Sequence, residues 1–340
     1  MTKINTTNGG SLSVPGGPAA RTSFWSRFAA GQLTWITLIL VVMIAAFTLL
    51  AGQAFASVAN FRNIATDACI LMVIALGQLF VIIAGGIDLS VGAVLVFSGV
   101  LGCIVMNAVG GVAGVICGIV VSVLSGAAWG AVNGLLVTKA KITPLIATLG
   151  TFGMAMGLAL VIANGIDLMA PLALVRSLGV GRLFGVLPWL VVLAAIASVI
   201  MAVVLNQTRF GRHTLAIGAS AAAAERSGIS VSRHLVKVYT IAGALAGTAS
   251  IMSLSRFGTT TIGGHLEDNL KVITAVVLGG ASLLGGVGTV TGTVIGTLIP
   301  VVLLNGFVIT GIQAFWQQFA IGLVLVVAVY LDGRKRASTG

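Results

Sequence analysis

The sequence predicts an all-α membrane protein: a polytopic helical bundle of about ten transmembrane helices, with both termini in the cytoplasm. Three observations carry that prediction. Of the 340 residues, 58% are hydrophobic and only 7% are charged, and the mean hydropathy is +1.15. Apolar runs of about 18 residues or more recur from Leu33 almost to the C-terminus, the length that crosses a bilayer. The basic residues gather in short segments, as they do when Lys and Arg hold loops on the cytoplasmic side. Backbone polar groups in hydrocarbon must be paired internally, which leaves helices or a closed barrel. The runs are continuous rather than alternating, so helices are expected.

The elements follow in chain order. The first 23 residues are rich in Gly, Ser, Thr, Asn and Pro. Residues 1–30 are expected to be a flexible cytoplasmic tail. That polar stretch is too long for the n-region of a signal peptide, and no small-residue cleavage site follows the first span. The transmembrane domain is expected over 31–333. Its spans fall near 33–52, 64–84, 90–108, 111–137, 143–163, 188–206, 237–255, 270–285, 289–310 and 315–331. Residues 334–340 form a basic cytoplasmic tail.

Charge tests the count. With the N-terminus inside, the inner segments hold 13 of the 18 Lys and Arg residues, including the run from Arg209 to Lys237 and the triplet Arg334-Lys335-Arg336. Arg62, Arg176, Arg182, Arg256 and Lys271 fall outside. An odd number of spans between the 209–237 cluster and the C-terminal triplet would place the two on opposite faces, so an even total fits. The net charge of +11 is explained by this retention and points to the bilayer rather than to nucleic acid.

Small residues recur every four positions through the fourth span: Gly110, Gly114, Gly118, Ser122, Gly126, Gly130 and Gly134. Gly288, Gly292 and Gly296 repeat the pattern near the ninth. Such stripes let helix backbones approach closely where lipid gives no hydrophobic drive for association. Gly114, Gly118, Gly126, Gly130, Gly288 and Gly292 are therefore the expected packing residues. A role in sliding during transport is the other reading. A GGxxLxxG pattern at Gly85–Gly92 returns at Gly279–Gly286, each at a break between spans, and internal repeats are common in transporters.

Asp88 is the most informative acid, because it interrupts a long apolar region. An ionisable group there either lines a pathway or, with Ser90, caps the next helix by accepting its free N–H groups. Both hold if the break is a discontinuous helix lining a cavity. Asn133, inside the fourth span, is a polar residue for the same pathway or for an interhelical hydrogen bond. Cys69, Cys103 and Cys117 are odd in number, lack metal spacing and sit in apolar stretches, so they read as core residues. His213, His234 and His265 have no ligand spacing, and no nucleophilic triad pattern appears. An enzyme and a metal site are therefore not expected. No GxxxxGK[ST] stretch occurs, so this chain is expected to bind no cofactor, and any ATP would act on another subunit.

The inner loop 207–236 is the expected partner site. Ser220 suits an N-cap, Ala221 to Ala224 form helix readily, and Gly228 suits the position just past a helix end. A helix of about two turns is marginal alone in water and needs a surface to dock on, either a partner or its own bundle.

At these residues the chain resembles the permease subunits of bacterial ABC importers for monosaccharides, of the ribose, xylose and galactose type. The likeness extends over about residues 35 to 332. Ile83-Ala84-Gly85-Gly86-Ile87-Asp88-Leu89-Ser90-Val91-Gly92 looks like the hallmark GGIDLSVG stretch of that family. Pro144–Gly150, Asn164-Gly165, Val277–Gly286, Gly292-Thr293 and Leu304-Asn305-Gly306 also fit. The segment Thr208–Ile229 is similar to the region that couples to the ATPase, so the resemblance assigns Arg212, Ser220, Glu225, Arg226, Ser227 and Gly228 to that contact. One departure stands out: the family commonly has an acid followed by paired alanines early in this helix, whereas here that position is Ala221 and the acid is Glu225. The resemblance implies a bacterial inner-membrane pore of two permeases, with ABC ATPase subunits carrying ATP and Mg inside and a substrate-binding protein outside. It also implies that Asp88, Ser90 and Asn133 shape the pathway. The same architecture could carry nucleosides, branched-chain amino acids or a furanose-like signal, but related amino-acid permeases usually lack the GGIDLSVG form. A self-sufficient ion-coupled carrier is disfavoured by the scarcity of buried carboxylates. A non-transporting scaffold is a further alternative.

Overall fold

The computed structural model describes residues 32–313, 316–324 and 326. The expected tails, 1–30 and 334–340, and most of the tenth span's second half lie outside them. Among the described residues, eight helices are long and apolar enough to cross a bilayer. In chain order the principal helices are α1 Gln32–Ala51, α2 Val58–Ile83, α3 Val91–Val109, α4 Gly111–Thr138, α5 Pro144–Ile162 and α6 Trp189–Gln207. Two shorter helices follow, α7 Arg209–Ala219 and α8 Ala221–Arg226. Then come α9 Val231–Phe257, α10 Asp268–Leu278 and α11 Val290–Ile309. Residues 316–324 are helical within the expected tenth span.

The expected eighth span, 270–285, is corrected. Its helix α10 has 11 residues, about 16 Å at 1.5 Å per residue, which is too short to cross alone. A glycine-rich segment extends it to Gly286, whose N–H donates to Ile83 O at the far end of α2 at 2.8 Å. The short helix and the turn-rich glycine segment together thus connect the Phe257 end of α9 to the Ile83 end of α2.

Burial ranks the helices. In the most apolar stretch of α2, 89% of residues are buried, against 17% in α1. Helix α2 is the central post: Ile74, Leu76, Leu79, Phe80 and Ile83 are fully enclosed. The peripheral helices turn long apolar side chains such as Leu49, Ile116 and Val161 outward, as a lipid-facing surface requires.

The glycine stripe on α4 serves two neighbours. A Cβ at Gly114 would lie 2.5 Å from Met106 O, and one at Gly118 would lie 2.7 Å from Gly102 O, both on α3. Gly126 and Gly130 instead face the α9 backbone, where a Cβ would overlap the carbonyls of Gly243 and Tyr239. The upper half of the stripe therefore packs α3 and the lower half packs α9. Gly292 lies against the Gly279 carbonyl. Gly288 precedes α11 rather than sitting within it, and packs on the Ile83 and Leu79 side chains.

On the face opposite α7 and α8, a short hairpin pairs β1 Arg182–Leu183 with β2 Leu187–Pro188. Asp167 Oδ1 accepts from Thr260 Oγ1 at 3.0 Å and from Ile262 N at 2.7 Å, tying the segment after α5 to the α9–α10 loop.

Candidate functional site

The site is built from two interrupted spans and helix α7, which touches both. The first interruption runs from Ala84 to Ser90. Helix α2 ends there because Gly85 adopts φ +83°, a left-handed conformation that glycine takes without steric cost. Asp88 is 2% exposed. Its Oδ1 accepts from Ser90 N at 2.8 Å and from Ser90 Oγ at 2.6 Å. The Gln78 amide, turned so that both its groups are satisfied, donates to Asp88 O at 3.2 Å and accepts from Asp88 N at 3.1 Å.

The network extends into two more helices. Asn133 Nδ2 on α4 donates to Ser90 Oγ at 2.7 Å. Thr151 Oγ1 on α5 donates to Asn133 Oδ1 at 2.6 Å. Leu89 N donates to Thr148 Oγ1 at 3.0 Å. The three pathway residues expected from sequence, Asp88, Ser90 and Asn133, are therefore one contiguous cluster. Among the described residues no basic side chain pairs with Asp88. Tyr239 OH, fully buried beside this break, has no hydrogen-bond partner among them. A Cβ at Gly86 would come within 2.5 Å of that hydroxyl.

The cap of α3 is made differently from either sequence expectation. Ser90 occupies the N-cap position but its side chain makes no capping bond. Asp88 takes the amide of Ser90 itself. The free N–H of Gly92 donates to Asn269 Oδ1 at 2.8 Å, so an asparagine 177 residues away satisfies the helix start. Sequence reasoning missed Asn269, because nothing local marks so distant a partner.

The second interruption, 279–289, repeats the first in form and lies beside it. Gly280, Gly285 and Gly286 have φ of +93°, +90° and +77°. A Cβ on Gly285 would lie 3.1 Å from the Cα atoms of both Gly85 and Gly218. A Cβ on Gly218 would overlap Ile83 O and Gly286 N. Three segments distant in sequence thus meet backbone to backbone: the end of α2, the second break and the end of α7.

Helix α7 was not expected from sequence. Its N-cap Thr208 accepts from Gly211 N at 3.3 Å. Phe210 stacks against Phe80 at 6.2 Å between ring centres and against His234 at 4.4 Å. Thr214 Oγ1 and His234 Nε2 are 2.8 Å apart. These contacts hold α7 firmly on α2 and α9. In α8, Ala223 N donates to Ser220 Oγ at 3.2 Å. At its end Gly228 N donates to Glu225 O and Ile229 N donates to Ala224 O, each at 3.0 Å. That pair of bonds with Gly228 at φ +83° is a Schellman end. Only Ala224 of α8 is buried. Glu225, Arg226 and Ser227 are exposed, as are Arg212 and Ser220.

Comparison with known proteins gives this geometry a family. Residues 60–329 match the family model described as "Branched-chain amino acid transport system / permease component". The chain is 38% identical over 301 residues to the ribose import permease protein of Bacillus subtilis, covering 88% of this chain and 91% of that protein. It is 31% identical over 309 residues to the D-allose transport system permease protein of Escherichia coli, covering 91% and 92%. It is 32% identical over 298 residues to the galactose/methyl galactoside import permease protein of Haemophilus influenzae, covering 83% and 89%. No solved structure matches. The chain is a multi-pass membrane protein and belongs to the branched-chain amino acid transport system / permease component family of ABC importer permeases.

Proposed function

We propose that this chain forms the translocation pathway of an ATP-driven importer for a monosaccharide of the ribose, allose or galactose class. An ATPase carrying ATP and Mg would work from the cytoplasmic face, and a substrate-binding protein would deliver sugar from the other. Two copies, or this chain and a close homologue, would enclose the pore in the inner membrane. The relatives' named cargoes support the sugar class, and so does the GGIDLSVG stretch at 85–92.

The observation that carries the reading is the backbone contact of Gly218 with Ile83 and Gly286. Helix α8 offers a partner the exposed side chains Glu225 and Arg226. Helix α7 joins α8 through the single residue Ser220 and rests on both broken spans. A displacement of α8 by a closing ATPase would therefore reach both breaks through α7 without an intervening side chain. Broken spans are where transporters concentrate irregular backbone that lines a cavity. Asp88, Ser90 and Asn133 would hold the first break in one arrangement of such a movement.

The test is reconstitution of this chain with its ATPase and binding protein in liposomes. Uptake of D-ribose, D-allose or D-galactose is expected to require all three components and ATP. Uptake by this chain alone, driven by an ion gradient, would replace the importer with a secondary carrier.

A further inference from the structure

A cavity of about 450 Å³ opens at the Phe257 end of α9, on the face away from α7 and α8. Its walls come from α2, α10, α11 and the α9–α10 loop. That size lies within the range of small-molecule sites. One wall is apolar, made by Leu71, Val301 and Leu304, with the half-exposed ring of Phe257 at the edge. The other is polar, made by Asp67, His265, Asp268, Lys271 and Asn305.

The polar wall is prearranged. Asp268 Oδ2 lies 2.6 Å from His265 Nδ1, and its Oδ1 accepts from Lys271 Nζ at 3.0 Å. His265 Nε2 reaches Ser253 Oγ at 2.7 Å, which fixes the ring from its far side. Asp67 Oδ1 accepts from Arg256 Nε at 2.9 Å. Asn305 and Asn60 exchange two amide bonds of 2.9 Å. Each carboxylate has its own cation, so the wall carries no net charge available to an ionic ligand. Carboxylate and amide oxygens hold more lone pairs than these bonds use, which leaves acceptors for ligand hydroxyls. A wall of balanced charge and spare acceptors facing an apolar wall suits a neutral molecule with hydroxyls on one side and C–H groups on the other.

We infer that this cavity is a binding site for a neutral polyhydroxylated molecule of monosaccharide size, the receiving site from which transported sugar enters the pathway. The inference rests on the importer reading above for the identity of its ligand. Asp67, Asp268 and Asn305 accept hydrogen bonds from its hydroxyls, and Leu71, Leu304 and the Phe257 ring cover its C–H face.

Two measurements on the complete transporter test it. Gly264 lines the cavity, and a Cβ there meets only the Thr261 side chain, its Cβ at an ordinary 3.5 Å and its Oγ1 at 3.9 Å, so Gly264→Phe fills the space from the loop. Sugar uptake is expected to fall about tenfold or more while the ATPase still co-purifies at unchanged stoichiometry. Uptake equal to wild type overturns the site. The second measurement replaces Thr261, on the same wall, by cysteine in a chain whose Cys69, Cys103 and Cys117 are alanine. Labelling by a membrane-impermeant maleimide is expected to slow at least about threefold with saturating D-ribose, D-allose or D-galactose. An unchanged rate with all three overturns the site, even where Gly264→Phe fails to assemble. Wild-type transporter that imports none of the three sugars sinks the importer reading instead, and protection of the Thr261→Cys thiol still decides the cavity.

Discussion

Asn133 and Ser90 lie 43 residues apart in the chain and are joined by a 2.7 Å hydrogen bond. Through it α4 holds the Ser90 hydroxyl that donates to Asp88, and Thr151 on α5 holds Asn133 in turn. The first broken span is therefore fixed by side chains on two neighbouring helices, not by its own sequence alone. This is the arrangement expected where a polar break must be satisfied within protein because lipid offers no partner.

Removing Asn133 tests that clamp. Asn133→Leu keeps the volume but loses both side-chain bonds. Ser90 Oγ retains Asp88, and Thr151 Oγ1 retains Thr148 O, so neither hydroxyl is orphaned. The expected cost is about 1 kcal/mol, read as a lower midpoint in thermal unfolding of the detergent-solubilised protein. An unchanged midpoint would show that the clamp adds no stability.

Asp88 separates an acceptor's role from a charge's role. Asp88→Asn keeps an oxygen able to accept from Ser90 N and Oγ, whereas Asp88→Ala leaves a buried N–H without its partner. The alanine variant is expected to lose about 1–3 kcal/mol, with the asparagine variant close to wild type in the same thermal assay. Equal loss in both would show that the break depends on negative charge.

Gly218 is where α7, which leads into α8, meets the breaks. Gly218→Leu drives a side chain into Ile83 O and Gly286 N but leaves the exposed face of α8 unaltered. ATPase co-purification is expected to persist, while ATP-driven uptake falls about tenfold or more. Full uptake in this variant would mean that force reaches the spans by another route.

Much of this was legible in the sequence for a physical reason. Apolar length identifies a span, and basic loops orient it. The stripe on α4 and the Gly85-Gly86 and Gly279-Gly280 breaks were visible because glycine marks close approach and left-handed backbone locally. What stayed hidden depends on pairing across distance. Asn269 caps a helix 177 residues away. The amides of Asn60 and Asn305 pair across 245 residues. Helix α7 was missed because Arg209–Gly218 carries polar residues and two glycines, and its stability comes from Phe210 and Thr214 docking on Phe80 and His234. The eighth span was overextended because the residues after Leu278 remain apolar while their glycines end the helix.

The exposed end of α8 supplies the most direct test of the proposed partner surface. Glu225 and Arg226 are exposed and make no ion pair among the described residues. Their helix is secured independently, by Ser220 at its start and the Gly228 turn at its end. Reversing both charges, Glu225→Lys with Arg226→Glu, therefore disturbs the surface rather than the fold. The double variant is expected to insert in the membrane at wild-type level and to unfold at the wild-type midpoint. Its co-purification with the ATPase is expected to drop about fivefold or more, the loss of roughly 1 kcal/mol at a docking surface. Wild-type recovery of the ATPase would place the contact elsewhere on the cytoplasmic face, with Arg212 on the exposed side of α7 the next residue to change.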